Sequence, residues 1–317
     1  MSSINTNASA MTALQSLRQT NAAMEKVQTA ISTGFRVAGA KDNAAYWSIA
    51  TTMRSDNKAM STVKDALGLG AATIDVAYTA VESAIKVTDE IKAKLVAATE
   101  PGVDKGKVQA EITELQEQLA AISEAASFSG QNWLSIDSTT GTGYNSTKSV
   151  VSSFTRNGST VSIGTTDIDI TTISLFDSNT AAGPANEGIL DETRTVTIGT
   201  ASTTVSGLVS TFSIATLTDS AADLEIIAAY VQMADDAIGD MTDGATVLGA
   251  ISKRVELQTD FISNLMDAVE RGIGQLVDAD MNKASVELQA LQVQQQLGIQ
   301  ALSIANGNSQ NILALFQ

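Results

Sequence analysis

Histidine and cysteine are both absent from this chain of 317 residues. Without cysteine there is no disulfide, thiol nucleophile or thiolate ligand. Without histidine the Ser-His-Asp and Cys-His arrangements and the usual zinc sites cannot be built. Aromatic residues make up 4% of a chain that is 44% hydrophobic, so its core must come from Ala, Val, Leu and Ile, which suits long helices better than a sandwich. Positive charge is scarce as well, with Lys+Arg 19 against Asp+Glu 35 and a net charge of −16. An acidic surface with no basic stripe repels nucleic acid and anionic membrane, and neither is expected as a partner. No apolar run reaches the roughly 18 residues of a membrane span, so no membrane insertion is expected. The start, Met1-Ser2-Ser3-Ile4-Asn5-Thr6-Asn7, lacks the apolar centre of a signal peptide. Export, if it occurs, would use a route without a cleaved signal.

A local absence organises the rest. From Leu288 to Gln317 there is no Asp, Glu, Lys or Arg, yet the stretch is too polar and interrupted to cross a membrane. At 100° per residue, Val286, Ala290, Val293, Leu297, Ala301 and Ile304 share one helix face, and Met281, Ala284, Leu288, Leu291, Ile299 and Leu302 fall nearly opposite. A helix on the outside of one globule needs a single apolar stripe, so a helix with two calls for neighbours on both sides. Ordering the backbone costs about 1–2 kcal/mol per residue, more than the sparse large side chains here return within one chain. The tail is therefore expected to be mostly unfolded in an isolated subunit and helical once other copies cover both faces. At the other end Ala10, Ala13, Leu17, Thr20, Met24, Val27 and Ile31 follow the alternating 3-4 spacing of a coiled coil, with Arg18 the one charge before Glu25. The two ends read as one charge-poor helical layer.

Between them, Ser32-Thr33-Gly34, Gly39 and Asp42-Asn43 predict a hinge lasting to about Ala44. A seam of Met60, Val63, Leu67, Gly70, Ile74, Ala77, Val81, Ala84, Thr88, Ile91 and Leu95 then predicts one very long helix ending before Pro101-Gly102. Asp104 is a candidate N-cap for a third helix with the seam Val108, Ile112, Leu115, Leu119 and Ile122, turning back antiparallel to the second. From Ser138 to Leu217 about two in five residues are Ser or Thr, which predicts a small β domain. Val150 to Thr155 and Thr160 to Ile163 flank the hairpin signal Asn157-Gly158, Ile168 and Ile170 alternate with Asp167 and Asp169, and Thr195 to Ile198 reads as a further strand. Helix is expected again near Thr218-Asp219, with the 3-4 spacing Leu224, Ile227, Val231, Ala234, Ile238, Met241, Ala245, Leu248, Ser252, Val255, Thr259, Ile262, Met266, Val269, interrupted by Gly272 and Gly274. The predicted class is mainly α with a small β insert, an antiparallel long-helix coiled-coil rod whose N- and C-terminal helices pair, with the insert at its far end.

Several short stretches, in order at both ends, resemble the bacterial flagellins. They are Ile4-Asn5-Thr6-Asn7, Ala30-Ile31-Ser32-Thr33-Gly34-Phe35-Arg36-Val37, Ala40-Lys41-Asp42-Asn43-Ala44-Ala45 and Phe128-Ser129-Gly130-Gln131-Asn132. Towards the C-terminus they are Asp278-Ala279-Asp280, Gln294-Gln295-Gln296-Leu297-Gly298, Ala301-Leu302-Ser303-Ile304-Ala305-Asn306 and Gln310-Asn311-Ile312-Leu313-Ala314-Leu315. The resemblance covers about 1–136 and 218–317, and the middle shows none. It implies a subunit of the extracellular flagellar filament, an open helical homopolymer in which other flagellins can take part. Residues 1–43 would pair with 275–317 in an inner tube, 44–137 with 218–274 in a surrounding rod layer, and 138–217 would form the variable surface. The intersubunit candidates are then Ala10, Leu17, Met24, Ile31, Leu288, Leu291, Val293, Leu297, Ile299, Leu302 and Ile304. The same resemblance implies type III export, a chaperone on the C-terminal segment, and filament cap and junction proteins as partners.

One segment departs from the pattern of flagellins seen by the animal innate receptor. In Glu90-Ile91-Lys92-Ala93-Lys94-Leu95-Val96, Glu90 stands where that pattern is basic, and Ala93 and Lys94 stand where it has an acid and an apolar residue, so weak receptor activation is expected. Tyr46-Trp47 also departs from the small residues expected there and is a candidate subunit contact. Gly68-Leu69-Gly70 resembles a fragment of a nucleotide loop but lies within a helical seam, so close helix packing is expected and no cofactor. Asp278 with Asp280, and Asp235 with Asp236, read as hinge caps or solvated faces rather than metal ligands. Asn145-Ser146-Thr147 and Asn157-Gly158-Ser159 fit the N-glycosylation pattern by chance in a Thr-rich region, and modification of Ser or Thr in the insert remains open. The alternatives are a hook–filament junction component and, from another class, a secreted enzyme on a polymerising scaffold, for which the insert offers no carboxylate motif.

Overall fold

The computed structural model describes residues 7–139, 144–158, 160–178, 188–198 and 203–314. Its helices are α1 (Ala8–Thr33), α2 (Ala44–Ala97), α3 (Lys105–Ala125), α4 (Ala221–Val277) and α5 (Met281–Ala314). Between α3 and α4 lie β1 (Ser127–Phe128), β2 (Gln131–Asn132), β3 (Ser135–Ile136), β4 (Thr147–Asn157), β5 (Thr160–Asp169), β6 (Phe176–Asp177), β7 (Arg194–Ile198) and β8 (Thr203–Gly207). The chain divides into two compact units, residues 1–59 with 265–317, and residues 60–264. Helices α2 and α4 contribute to both.

In the larger unit the long α2 seam is realised in full, every position from Met60 to Leu95 being buried and Leu67, Ile74, Ile91 and Leu95 completely so. Thr88 fits because its hydroxyl donates to Ala84 O at 2.9 Å, which pairs its own polar atom within the core. Along α4 the deepest positions recur once per heptad, at Ile227, Ala234, Met241, Leu248, Val255 and Ile262. Asp104 caps α3 as expected, accepting from Gly106 N and Lys107 N. The pair Lys94 Nζ–Glu111 Oε2 at 2.5 Å ties the last turns of α2 to α3. The α3 seam sits to one side of the predicted one. Ile112 and Leu119 are buried, but Lys105, Gln116 and Ser123 join them, while Val108, Leu115 and Ile122 are half-buried. Each polar member with a partner explains its place: Lys105 pairs with Asp219, and Gln116 Nε2 donates to Val209 O at 3.1 Å and Phe212 O at 3.3 Å.

The insert is not one sheet. Among the described residues the strands between α3 and α4 form four separate two-stranded sheets, β1-β2, β3-β6, β4-β5 and β7-β8, of which β3-β6 is parallel and joins the insert to residues before it. Contacts to helices of the same unit include Asn132 Nδ2 donating to Ser123 O of α3 at 2.7 Å. The β4-β5 hairpin forms where expected, but Asn157 is the last strand residue, paired with Thr160, and Gly158 takes the positive-φ corner (φ 63°). Ser159 lies outside the described residues. Ile168 and Ile170 are buried while Asp167 and Asp169 are exposed, as the alternation predicts. The close approach at Gly70 is to a strand and not to a helix as expected: a Cβ there would lie 2.3 Å from Val150 Cγ1 of β4, while one at Gly68 would meet nothing within 4 Å. Arg194 of β7 reaches Asp240 of α4 at 2.6 Å, and Phe212 stacks on Tyr230 with ring centroids 4.9 Å apart. Ser220 and Asp223 start α4 as a capping pair, Asp223 N donating to Ser220 Oγ and Thr218 N donating to the Asp223 carboxylate.

Gly272 and Gly274 do not interrupt α4, which runs on to Val277. A helical glycine costs only about 1 kcal/mol relative to Ala, and at Gly272 the missing side chain leaves room for Met53, whose Cε would be 3.4 Å from a Cβ. The break comes at Asp278–Asp280 instead, where Asp280 accepts from Asn282 N and Lys283 N and starts α5.

Candidate functional site

The smaller unit is built around α1 and α5. Asn7 caps α1 through Ala10 N, and its Nδ2 donates to Ala305 O at 2.9 Å, so the start of one helix meets the far part of the other. Leu17 Cδ1 lies 3.2 Å from where a Cβ on Gly298 would be, and Gln295 Nε2 donates to Asn21 Oδ1 at 2.8 Å. The register is antiparallel throughout. At its other end α1 stops on Gly34 (φ 76°), whose N–H bonds Ala30 O. Ala279 N then donates to Gly34 O at 2.8 Å, and an antiparallel bridge joins Phe35 to Asp278. The expected hinge is therefore a clasp, with Val37, Ala50, Ile273 and Val277 as its buried centre. Arg54 lies over the Phe35 ring at 4.8 Å, and Arg36 donates to Leu276 O at 2.9 Å.

The predicted α1 stripe is the face turned to α5. Ala10, Ala13, Leu17, Thr20, Met24, Val27 and Ile31 are all half-buried, and none of α1 is fully buried. On α5 the answering stripe is Ala284, Leu288, Leu291, Gln295, Gly298, Leu302 and Ala305, again in 3-4 spacing. Hydrophobicity alone missed Gln295 and Gly298; the unbroken spacing was the available signal. Met281 and Ile299, assigned to this face from sequence, are exposed at 44% and 55%, because the seam passes through Gly298 beside Ile299. The opposite face is uncovered: Val286 67%, Val293 55%, Leu297 58% and Ile304 66% exposed. One of the two faces expected to need other copies is thus partly covered by α1 of the same chain and the other is left open. Ile4 to Thr6 and Leu315, part of the resemblance, lie outside the described residues.

Nearby, Tyr46, Trp47 and Ile49 on the first turns of α2 are exposed at 42%, 38% and 49%. Asn43 starts that helix, accepting from Ala45 N and Tyr46 N. A groove of about 620 Å³ lies along the clasp, lined with both signs of charge, including Glu25, Lys26, Arg36, Asp278 and Lys283.

The segment from Glu90 to Val96 faces two ways. Ile91 and Leu95 are core residues, whereas Glu90 and Val96 are exposed. Lys92 Nζ donates to Asp235 at 2.5 Å, and this bond holds its ammonium above the ordinary lysine value against some desolvation. Lys94 is raised likewise by Glu111. Asp236 accepts from Gln232 and Asp280 caps α5, which are the structural roles expected of them. Among the described residues no cluster of three or more acidic side chains could hold a metal ion. Asn145 is exposed, its side chain accepting from Thr147 N.

A chain whose ends fold back as an antiparallel pair, one stripe half-covered and another left apolar and open, has the kind of surface on which the subunits of a self-assembling structural polymer meet. Residues 4–139 match the bacterial flagellin N-terminal helical region, and residues 231–316 match the bacterial flagellin C-terminal helical region. Over the full length of both chains it is 48% identical to flagellin C of Rhizobium meliloti (strain 1021) and 43% identical to flagellin A of Rhizobium meliloti. It is 41% identical to a flagellin of Brucella melitensis, again end to end. The chain belongs to the bacterial flagellins: it is a structural subunit that polymerises into the extracellular flagellar filament that drives swimming.

Proposed function

We propose that the open face of α5 is the surface on which copies stack in the filament interior. In this reading residues 1–43 with 275–317 form the inner layer, 44–137 with 218–274 the rod layer around it, and 138–217 the outer surface. The observation that carries it is the exposure of Val286, Val293, Leu297 and Ile304 on a helix whose other stripe is already occupied. Ala10, Leu17, Met24 and Ile31 hold the pair together beneath that face with Leu288, Leu291 and Leu302, and Tyr46-Trp47 adds a contact at its base. Only partly covered in one subunit, the terminal helices gain most of their order on assembly. An export chaperone shields the same C-terminal segment beforehand, and cap and junction proteins meet it at the filament's ends. The subunit does no chemistry of its own. Its altered segment around Glu90, with Ile91 and Leu95 turned inward and Lys92 and Lys94 tied in ion pairs, activates the innate receptor weakly, which a receptor reporter assay checks.

Seeded elongation followed by electron microscopy tests the central part. Wild type lengthens the seeds, while Leu297→Asp, with its rod helicity intact, does not. Normal elongation by Leu297→Asp would refute the assignment.

A further inference from the structure

Two Asn-Gly pairs occur in the chain, Asn157-Gly158 and Asn306-Gly307, and they sit in different settings. Asn157 is exposed at the end of the β4-β5 hairpin, where Gly158 forms the corner. Asn306 is exposed on α5, inside the stretch from Leu288 to Gln317 that holds no Asp, Glu, Lys or Arg. Packing gives no reason for a glycine at 307. A Cβ there would meet nothing within 4 Å, whereas one at Gly298 would lie 3.2 Å from Leu17 Cδ1. Within a helix Gly307 is destabilising relative to alanine, and next to an asparagine it has a chemical effect as well.

With no side chain in the way, the backbone nitrogen of a glycine can reach Cγ of the asparagine before it. The bond from Gly307 N to Asn306 Cγ forms, the Cγ–Nδ2 bond breaks, and ammonia leaves a five-membered imide. Water then opens the ring at either carbonyl. The products are aspartate and isoaspartate, in which the main chain runs on through the former side chain. The α-helix suppresses the first step, because its pattern pairs the Gly307 N–H with the carbonyl of Ser303 and fixes the backbone between nitrogen and Cγ. Either product places a carboxylate in the charge-free tail. Isoaspartate also lengthens the backbone beside Ala305, whose carbonyl accepts from Asn7 at the start of α1.

We propose that Asn306-Gly307 is a self-modifying site, open in the unassembled subunit and closed in the filament, so that subunits left in solution age into chains the filament does not accept. This rests on the reading that α5 gains order on assembly, and adds to it a covalent consequence for the subunits that wait.

The test is to age free wild-type subunits at mildly alkaline pH, add seeds, and separate the filaments from what stays in solution. Trypsin cuts after Arg156 and Lys283, and no Lys or Arg follows Lys283, so mass spectrometry reads the two Asn-Gly pairs in separate peptides. Chains converted at Asn306 should be enriched roughly tenfold or more in solution over filaments, while chains converted at Asn157 divide evenly. Conversion at Asn306 should also slow roughly tenfold or more once subunits are in filaments, with that at Asn157 unchanged. Gly307→Ala, which has room for its methyl group, should keep its elongation through the same ageing. Converted Asn306 shared evenly between filaments and solution, or equal rates in both states, overturns the proposal and leaves the filament assignment standing. If Asn306 converts only in urea-unfolded subunits, the free tail is already helical, and the reading that α5 orders on assembly falls with the proposal.

Discussion

The seams of α1 and α2 have the same 3-4 spacing and opposite fates. Each position of the α2 seam from Met60 to Leu95 is buried, and not one residue of α1 is. The difference lies in what answers each stripe. The α2 seam faces other helices of its own unit, including the long α4 with Ile227, Met241 and Leu248. The α1 seam, three of its seven residues Ala or Thr, meets a single helix whose own stripe contains Gln295 and Gly298. Half-covered side chains return only part of the roughly 1.5–3 kcal/mol of full burial, against about 1–2 kcal/mol per residue of backbone ordering. A periodic stripe thus tells where a helix packs. Whether one chain can finish the packing depends on the bulk of the residues and on the number of stripes left over.

The sharpest way to break this contrast is matched truncation. Leu67→Ala in the α2 seam should cost the free subunit about 2–5 kcal/mol in its main unfolding transition, measured by urea denaturation. Leu17→Ala in the α1 seam should leave that transition within about 0.5 kcal/mol and instead raise the concentration needed for seeded growth. Equal losses in the free subunit would mean the terminal pair is as firmly folded as the rod. A smaller effect is expected at Gly70, where Ala would press on Val150 and cost about 1–3 kcal/mol, largely relieved by adding Val150→Ala. Relief by the second substitution would locate the strain at that contact, and its absence would move it elsewhere.

The smallest effect is acid weakening of the larger unit alone. A hydrogen bond from Lys105, aided by Gly102 N–H, holds the Asp219 carboxyl below its ordinary value of 3.8, and bonds from Thr218 lower Asp223 similarly. Carboxyls depressed in the folded state stabilise it above their unfolded pKa, and that contribution fades as pH falls through the folded value. The melting temperature should therefore drop below about pH 4, by less in Asp219→Asn than in wild type. At neutral pH Asp219→Asn should itself melt lower, since Lys105 is buried and loses its counterion. A pH profile unchanged by the substitution would mean that the Lys105–Asp219 pair does not carry the acid sensitivity.

Most of the helical part was legible in the sequence because its signals are local and repeated. Gly34, Asn43 and Asp104 mark helix ends by their own chemistry, and the long seams repeat often enough to outweigh single polar members. Gly272 and Gly274 misled because a helix held by many buried contacts absorbs two glycines. The α3 seam shifted for a related reason: Lys105 and Gln116 enter the core only because Asp219 and the carbonyls of Val209 and Phe212, distant in sequence, satisfy them. Within the insert Val150 to Thr155, Thr160 to Ile163 and Thr195 to Ile198 all fall in strands, but Ile170 opens a 3-10 turn following β5, both β6 and β8 went unpredicted, and the division into separate two-stranded sheets carries no local signal. On α5 the two-faced pattern was visible from Val286 to Ile304. Which face the chain would fill with its own N-terminal helix depended on Gln295 and Gly298, residues that a count of apolar positions passes over.

Hydrogen exchange, read residue by residue in free subunits and in filaments, bears most directly on the unfilled face of α5. Amides between Leu288 and Ala305 should exchange rapidly in the free subunit while those from Met60 to Leu95 stay protected, and in the filament both stretches should be slow. If Leu288 to Ala305 were as slow in the free subunit as α2, the terminal helices would be complete without neighbours, contrary to what their exposed stripe implies.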